Sequence, residues 1–192
     1  MKAIKLNAVI MKKTFFFQNL ICAALLVFSS LTVATAQDYE EYDGEPRPSS
    51  KVRIQYNAWL QGTGEFGWET QPHLCGTEGE NRRLEAFIIQ HANGSKDRIA
   101  IECKVYLQDL GWQGWTLMPD WVGTKGQKRR LEAFRIKVVD KPSQYSIYYK
   151  AHLAGTGWTD WVKDGQMCGT TQQQRAVQAI KIMVVDRIND DD

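Results

Sequence analysis

The side chains with catalytic potential in this sequence are few. His73, His91 and His152 sit in no nucleophile motif, and no serine lies in a Gly-x-Ser-x-Gly elbow. Glu85 and Glu132 fall at matching places in two similar segments, and paired carboxylates are what a glycosidase uses as acid and base. The third such segment carries Gln178 instead, so the recurring position is read as structural and a polysaccharide-acting hydrolase is only a distant alternative. No CxxC pair or Cys/His cluster has metal-ligand spacing, and neither metal nor cofactor is expected. Stacking chemistry is better represented. Trp59, Tyr106 and His152 recur at one position and Trp112 and Trp158 at another, and an exposed ring is a platform for a sugar or a partner side chain.

The elements that must position these rings follow from self-similarity. Ile54–Leu60, Ile101–Leu107 and Ile147–Leu153 align at offsets of 47 and 46 residues, and the matches continue without a gap. Gly64, Gly111 and Gly157 coincide, as do Trp68, Trp115 and Trp161, and Arg82, Arg129 and Arg175. Gly76-Thr77, Gly123-Thr124 and Gly169-Thr170 coincide too. Leu84-Glu-Ala-Phe87 meets Leu131-Glu-Ala-Phe134 and Val177-Gln-Ala-Ile180. The three copies span about 52–90, 99–137 and 145–183, inside one domain over 51–186.

The segments Gly111-Trp112-Gln113-Gly114-Trp115, Val122-Gly123-Thr124-Lys125-Gly126-Gln127 and Arg129-Arg130-Leu131-Glu132-Ala133 resemble the clostridial hydrophobic repeat with a conserved tryptophan, the ChW repeat. Gly157-Trp158 with Trp161, and Cys168-Gly169-Thr170 with Arg175, repeat the pattern. The resemblance implies an extracellular interaction module of bacterial secreted or surface proteins, without one agreed ligand. Copy one departs from it, with Glu65 where Trp112 and Trp158 stand, which leaves open whether copy one is functional and makes it the suspect if one copy has lost its site.

Within a copy, Ile101, Cys103, Val105 and Leu107 alternate with Glu102, Lys104 and Tyr106, the period of a half-buried strand. The inward sets of the other copies are Ile54, Tyr56, Ala58, Leu60 and Ile147, Tyr149, Ala151, Leu153, which turns Trp59, Tyr106 and His152 outward. The last strand of each copy changes phase after Ala86, Ala133 and Ala179, which predicts a β-bulge there or burial of both faces. Trp68, Trp115 and Trp161 are assigned to the core because the position never varies. Arg82, Arg129 and Arg175 are assigned to a structural bond with a loop carbonyl or a nearby Glu, and the Gly-Thr pairs to turns. Cys75 and Cys168 share a repeat position held by Val122 in copy two, and would form a disulfide if that position lay near the axis. One unit cannot bury its apolar face alone, so the expected fold is all-β and pseudo-threefold, a β-prism in preference to a β-trefoil.

The first 36 residues read as a cleaved signal peptide. Lys12-Lys13 precedes an apolar run to Leu31, and Ala34-Thr35-Ala36 sets the cut after Ala36. Residues 37–50 read as a flexible acidic leader and 187–192 as an acidic tail. The full chain has 24 Lys+Arg against 22 Asp+Glu, and loss of the four lysines of the signal leaves 20 against 22. Residues 51–185 retain 18 basic against 13 acidic residues, a body that tolerates an anionic partner without the dense basic patch of a nucleic-acid binder. The expectation is a secreted or surface-associated, non-catalytic module with no transmembrane segment in its mature form. It binds a carbohydrate or cell surface through Trp59, Tyr106, His152, Trp112 and Trp158, with protein–protein adhesion as the alternative and the oligomeric state open.

Overall fold

The computed structural model describes residues 46–187. The expected signal peptide, its cut after Ala36, most of the acidic leader and most of the acidic tail lie outside the described residues. Each copy forms five strands, a long one at either end and three two-residue strands between. Copy one has β1 (Ile54–Leu60), β2 (Gly64–Glu65), β3 (Glu69–Thr70), β4 (Cys75–Gly76) and β5 (Leu84–His91). Copy two has β6 (Ile101–Leu107), β7 (Gly111–Trp112), β8 (Thr116–Leu117), β9 (Val122–Gly123) and β10 (Leu131–Val138). Copy three has β11 (Tyr145–Leu153), β12 (Gly157–Trp158), β13 (Val162–Lys163), β14 (Cys168–Gly169) and β15 (Val177–Asp186).

The three inward sets expected from the alternation are all buried. The first strand of each copy pairs antiparallel with the last, and the two short strands after it fold back onto its other edge. The fifth strand of every sheet comes from a different copy. Copy two lends β9 to β5, copy three lends β14 to β10, and copy one lends β4 to β15. The loans run in a circle, so three separate five-stranded sheets close around a pseudo-threefold arrangement. Of the two architectures expected, this is the prism. Closure covers part of the open edge of each last strand, where unpaired N–H and C=O groups would otherwise be exposed.

The Gly-Thr pairs are therefore not turns, as their residue types suggest, but the ends of the lent strands. The reason lies in the bulge, which falls one residue earlier than expected. Leu131 pairs with Leu107 and Ala133 with Tyr106, which leaves Glu132 as the extra residue; Glu85 and Gln178 are its equivalents. The bulge turns the carbonyl of that residue toward the lent strand, where it accepts the Thr N–H. Thr124 donates to Glu85 at 2.8 Å, Thr170 to Glu132 at 3.0 Å and Thr77 to Gln178 at 2.9 Å.

The inner faces of the three sheets share one apolar core. Phe134 of sheet two packs edge-on against Phe87 of sheet one, centroids 5.4 Å apart, and lies 5.5 Å from Tyr149 of sheet three. Tyr56 spans the seam between sheets one and three: its hydroxyl donates to the carbonyl of His73 and accepts the N–H of Ile182 at 3.2 Å. Tyr149 does the equivalent work with the carbonyl of Gln166. Copy two has Cys103 at this position, and its seam with copy one holds a cavity of about 310 Å³ lined by Ile89, His91, Ile101 and Met118 among others. Tyr56→Phe should cost about 1–3 kcal/mol, because it strands a buried N–H and a carbonyl. Urea denaturation against the outer-face control Tyr148→Phe checks this; equal midpoints would refute the bridging role.

Cys75, Cys103 and Cys168 are all free and buried, so the Cys75–Cys168 pairing that the sequence left open is not made. Each of the two thiols sits on a lent strand in a different sheet, and burial pushes both up to about 12. The end of the leader is also not loose. Ser49 is buried, its N–H donates to Val184 at 2.7 Å and its hydroxyl bonds Asp186 at 2.6 Å, which ties the entry of the chain to the last strand.

Candidate binding grooves at the seams

The strand pleat turns Trp59 outward from β1, opposite Glu65 of β2 and Ala86 of β5. Beside it runs a groove of about 630 Å³ whose walls include Trp59, Thr63, Arg83, Glu85 and Lys128. Lys128 comes from copy two, because the turn following the lent strand returns across the seam. The floor is polar and tied together. Glu85, the bulge residue, is buried and accepts from Arg83 Nη2 at 3.0 Å and from the backbone N–H of Lys128 at 3.3 Å. Arg83 Nε is buried without a hydrogen-bond partner. Lys125 Nζ stands 5.5 Å from the centroid of the Trp59 ring and 4.5 Å from that of Trp121.

The other two copies repeat this plan with different side chains. In copy two, Tyr106 meets Trp112 edge-on at 5.7 Å, and Arg130 Nε lies 2.6 Å from Glu132. In copy three, His152 meets Trp158 edge-on at 5.5 Å and its Nδ1 bonds Gln178 Oε1 at 3.1 Å. There Ala176 replaces the arginine, and the indole N–H of Trp158 donates to Glu78 of copy one at 2.8 Å. The two aromatic sets expected from the sequence thus meet in pairs, Tyr106 with Trp112 and His152 with Trp158. In copy one Glu65 takes the place of the second ring and accepts from Asn57 Nδ2 at 3.2 Å, which leaves the face of Trp59 without an aromatic neighbour. The substitution that made copy one the suspect accompanies an open groove.

Trp68, Trp115 and Trp161 are not core residues. Trp68 is 44% and Trp115 39% exposed, because each lies just before the second short strand, on the outside of its sheet. Recurrence at a fixed position was mistaken for burial. On sheet two, Lys104 lies 5.0 Å from Trp112 and 5.1 Å from Trp115, and Lys137 lies 4.3 Å over Trp115. On sheet three, Lys150 lies 4.6 Å over Trp161 and Lys181 5.2 Å over Trp158. These lysines were not singled out from the sequence, although Lys104 and Lys150 hold equivalent positions on the outward parity of the first strand.

The remaining candidates have structural partners. Arg82 bonds Thr63 Oγ1 and Glu80, and Arg129 bonds the carbonyl of Gln108 at 3.2 Å, so both brace the hairpin after the first strand; Arg175 lies against Gly155 of the same hairpin in copy three. Glu85 and Glu132 sit in different sheets, each ion-paired with its own arginine, and do not form a facing acid–base pair. His91 accepts the N–H of Ile99 at 3.1 Å, and burial together with Arg98 lowers its pKa. Among the described residues no cluster of three His, Cys, Asp or Glu could hold a metal ion, and no helix is long and apolar enough to cross a membrane.

The Clostridial hydrophobic W family model matches residues 106–140 and 152–186, within copies two and three. No curated protein and no solved structure matches the chain.

Proposed function

We propose that this Clostridial hydrophobic W repeat protein is an exported, non-catalytic binding module whose ligand is a carbohydrate of a cell surface or matrix. The observation that carries the reading is the Trp59 groove, in which an indole lies beside the Arg83–Glu85 ion pair. A pyranose needs that combination, since its C–H face stacks on an aromatic ring while its edge hydroxyls take donors and acceptors. The lysine-rich apolar segment before Ala36 supports export. The ring pairs Tyr106–Trp112 and His152–Trp158 at the equivalent positions of copies two and three would add weak contacts by avidity.

A polysaccharide pull-down and glycan array with residues 37–192 tests the reading. We expect one sugar class to be retained and Trp59→Ala to weaken its binding about five- to thirtyfold, the loss expected when a stacking face worth roughly 1–2 kcal/mol is removed. Silence across a broad array, or full binding by the triple variant Trp59→Ala, Tyr106→Ala, His152→Ala, overturns it.

A further inference from the structure

We infer that the outer faces of sheets two and three form a second site, which takes an acidic polysaccharide bearing carboxylate or sulfate groups. Lys104 and Lys137 on sheet two and Lys150 and Lys181 on sheet three are each held within about 5 Å of an indole centroid. Among them only Lys137 has a carboxylate partner, Glu102 at 2.9 Å; among the described residues Lys104, Lys150 and Lys181 form no ion pair. Arg135, 5.3 Å from Trp112, adds a positive charge to sheet two, with its Nη1 donating to the carbonyl of Gly165 at 3.1 Å.

Contact with the indole steadies each lysine, and the ammonium groups of Lys104, Lys150 and Lys181 keep their charge unpaired among the described residues. Such cations are preorganised for anions, and less side-chain freedom is lost when one binds. The same contacts occupy the ring faces. A nucleic acid would need those faces for its bases, so a single strand is a poor fit, whereas an acidic glycan needs only the charges. Copy one lacks the cations of the ladder: its equivalents of Lys104, Arg135 and Lys137 are Asn57, Ile88 and Gln90, and its equivalent of Trp112 is Glu65, although Trp68 remains at the place of Trp115. The lysine over Trp59 is Lys125 of copy two, at 5.5 Å. None of the ladder lysines lines the Trp59 groove, so the ladder does not depend on the Trp59 reading.

The test titrates residues 37–192 with polygalacturonate, heparin, neutral dextran and a single-stranded oligonucleotide. Binding to one or both acidic glycans is expected, with none to dextran and an affinity that falls at least about tenfold between 50 and 300 mM salt. The triple variant Lys104→Gln, Lys150→Gln, Lys181→Gln should lose at least about tenfold in affinity with its melting temperature unchanged, and the Lys→Arg triple should keep it. The control Lys51→Gln, Arg53→Gln, Lys96→Gln removes the same charge from exposed positions of copy one and should bind like wild type. The inference is overturned if neither acidic glycan binds, if the control loses as much as the ladder variant, or if the oligonucleotide binds as tightly as the glycans. Trp59→Ala should leave acidic-glycan binding intact, which keeps failure here distinct from failure of the groove.

Discussion

Gly123→Ala is expected to destabilise the domain by at least about 4 kcal/mol, a large share of the stability of a domain this size. Gly123 ends the strand that copy two lends to copy one, at φ +115°. A Cβ there would stand 2.4 Å from the carbonyl oxygen of Glu85 and 2.7 Å from the Cα of Ala86. Both neighbours are backbone, so no side chain can swing aside. The lent strand would have to lift away, and the Thr124 to Glu85 bond would go with it. Gly76 and Gly169 meet the carbonyls of Gln178 and Glu132 in the same way, so alanine at either should be equally damaging. Gly126→Ala separates contact from strain. Gly126 also has positive φ, +71°, yet nothing lies within 4 Å of its would-be Cβ, and about 1–2 kcal/mol is expected. Urea denaturation followed by near-UV circular dichroism reads all of these. A Gly123→Ala midpoint no lower than that of Gly126→Ala would show that ring closure does not need the close approach.

Phe134→Ala should cost about 3–5 kcal/mol. Its ring is fully buried and touches one aromatic from each of the other sheets, Phe87 and Tyr149. Truncation removes the transfer free energy of the ring and both aromatic contacts, and leaves a cavity where three sheets meet and none can move in without dragging its lent strand. Phe134→Leu keeps most of the volume and should lose less. Phe66→Ala, at a ring 36% exposed, should stay within about 0.5 kcal/mol. If Phe134→Ala and Phe66→Ala melted together, the shared core would be wrongly placed.

The long strands were legible in the sequence because a pleated strand writes its own period. Ile54, Tyr56, Ala58 and Leu60 alternate whatever they pair with, and the same spacing in two more copies excludes chance. The phase change near Glu132 was legible too, but its position was off by one residue. Apolar parity shows that a strand has shifted without showing which residue is extra, and that is settled by pairing with Leu107 and Tyr106. Trp59, Tyr106 and His152 stood on the outward parity, and each is half-buried there. Trp68, Trp115 and Trp161 differ from the expectation because indole size and strict recurrence suit a core, whereas these rings lie outside the sheets, Trp115 and Trp161 against lysines.

Periodicity and repetition, both properties of neighbours along the chain, are enough to establish three all-β units that cannot stand alone. Closure is not written there. A two-residue strand such as Val122–Gly123 has no period to read, and its partner Ala86-Phe87 lies in another copy. Only the folded ring brings the Gly-Thr end under the carbonyl of the bulge and places Lys128 of one copy beside Trp59 of another. It also keeps Cys75 and Cys168 apart on separate sheets. Those contacts are long-range, and long-range pairing depends on how the three units meet rather than on what any one of them contains.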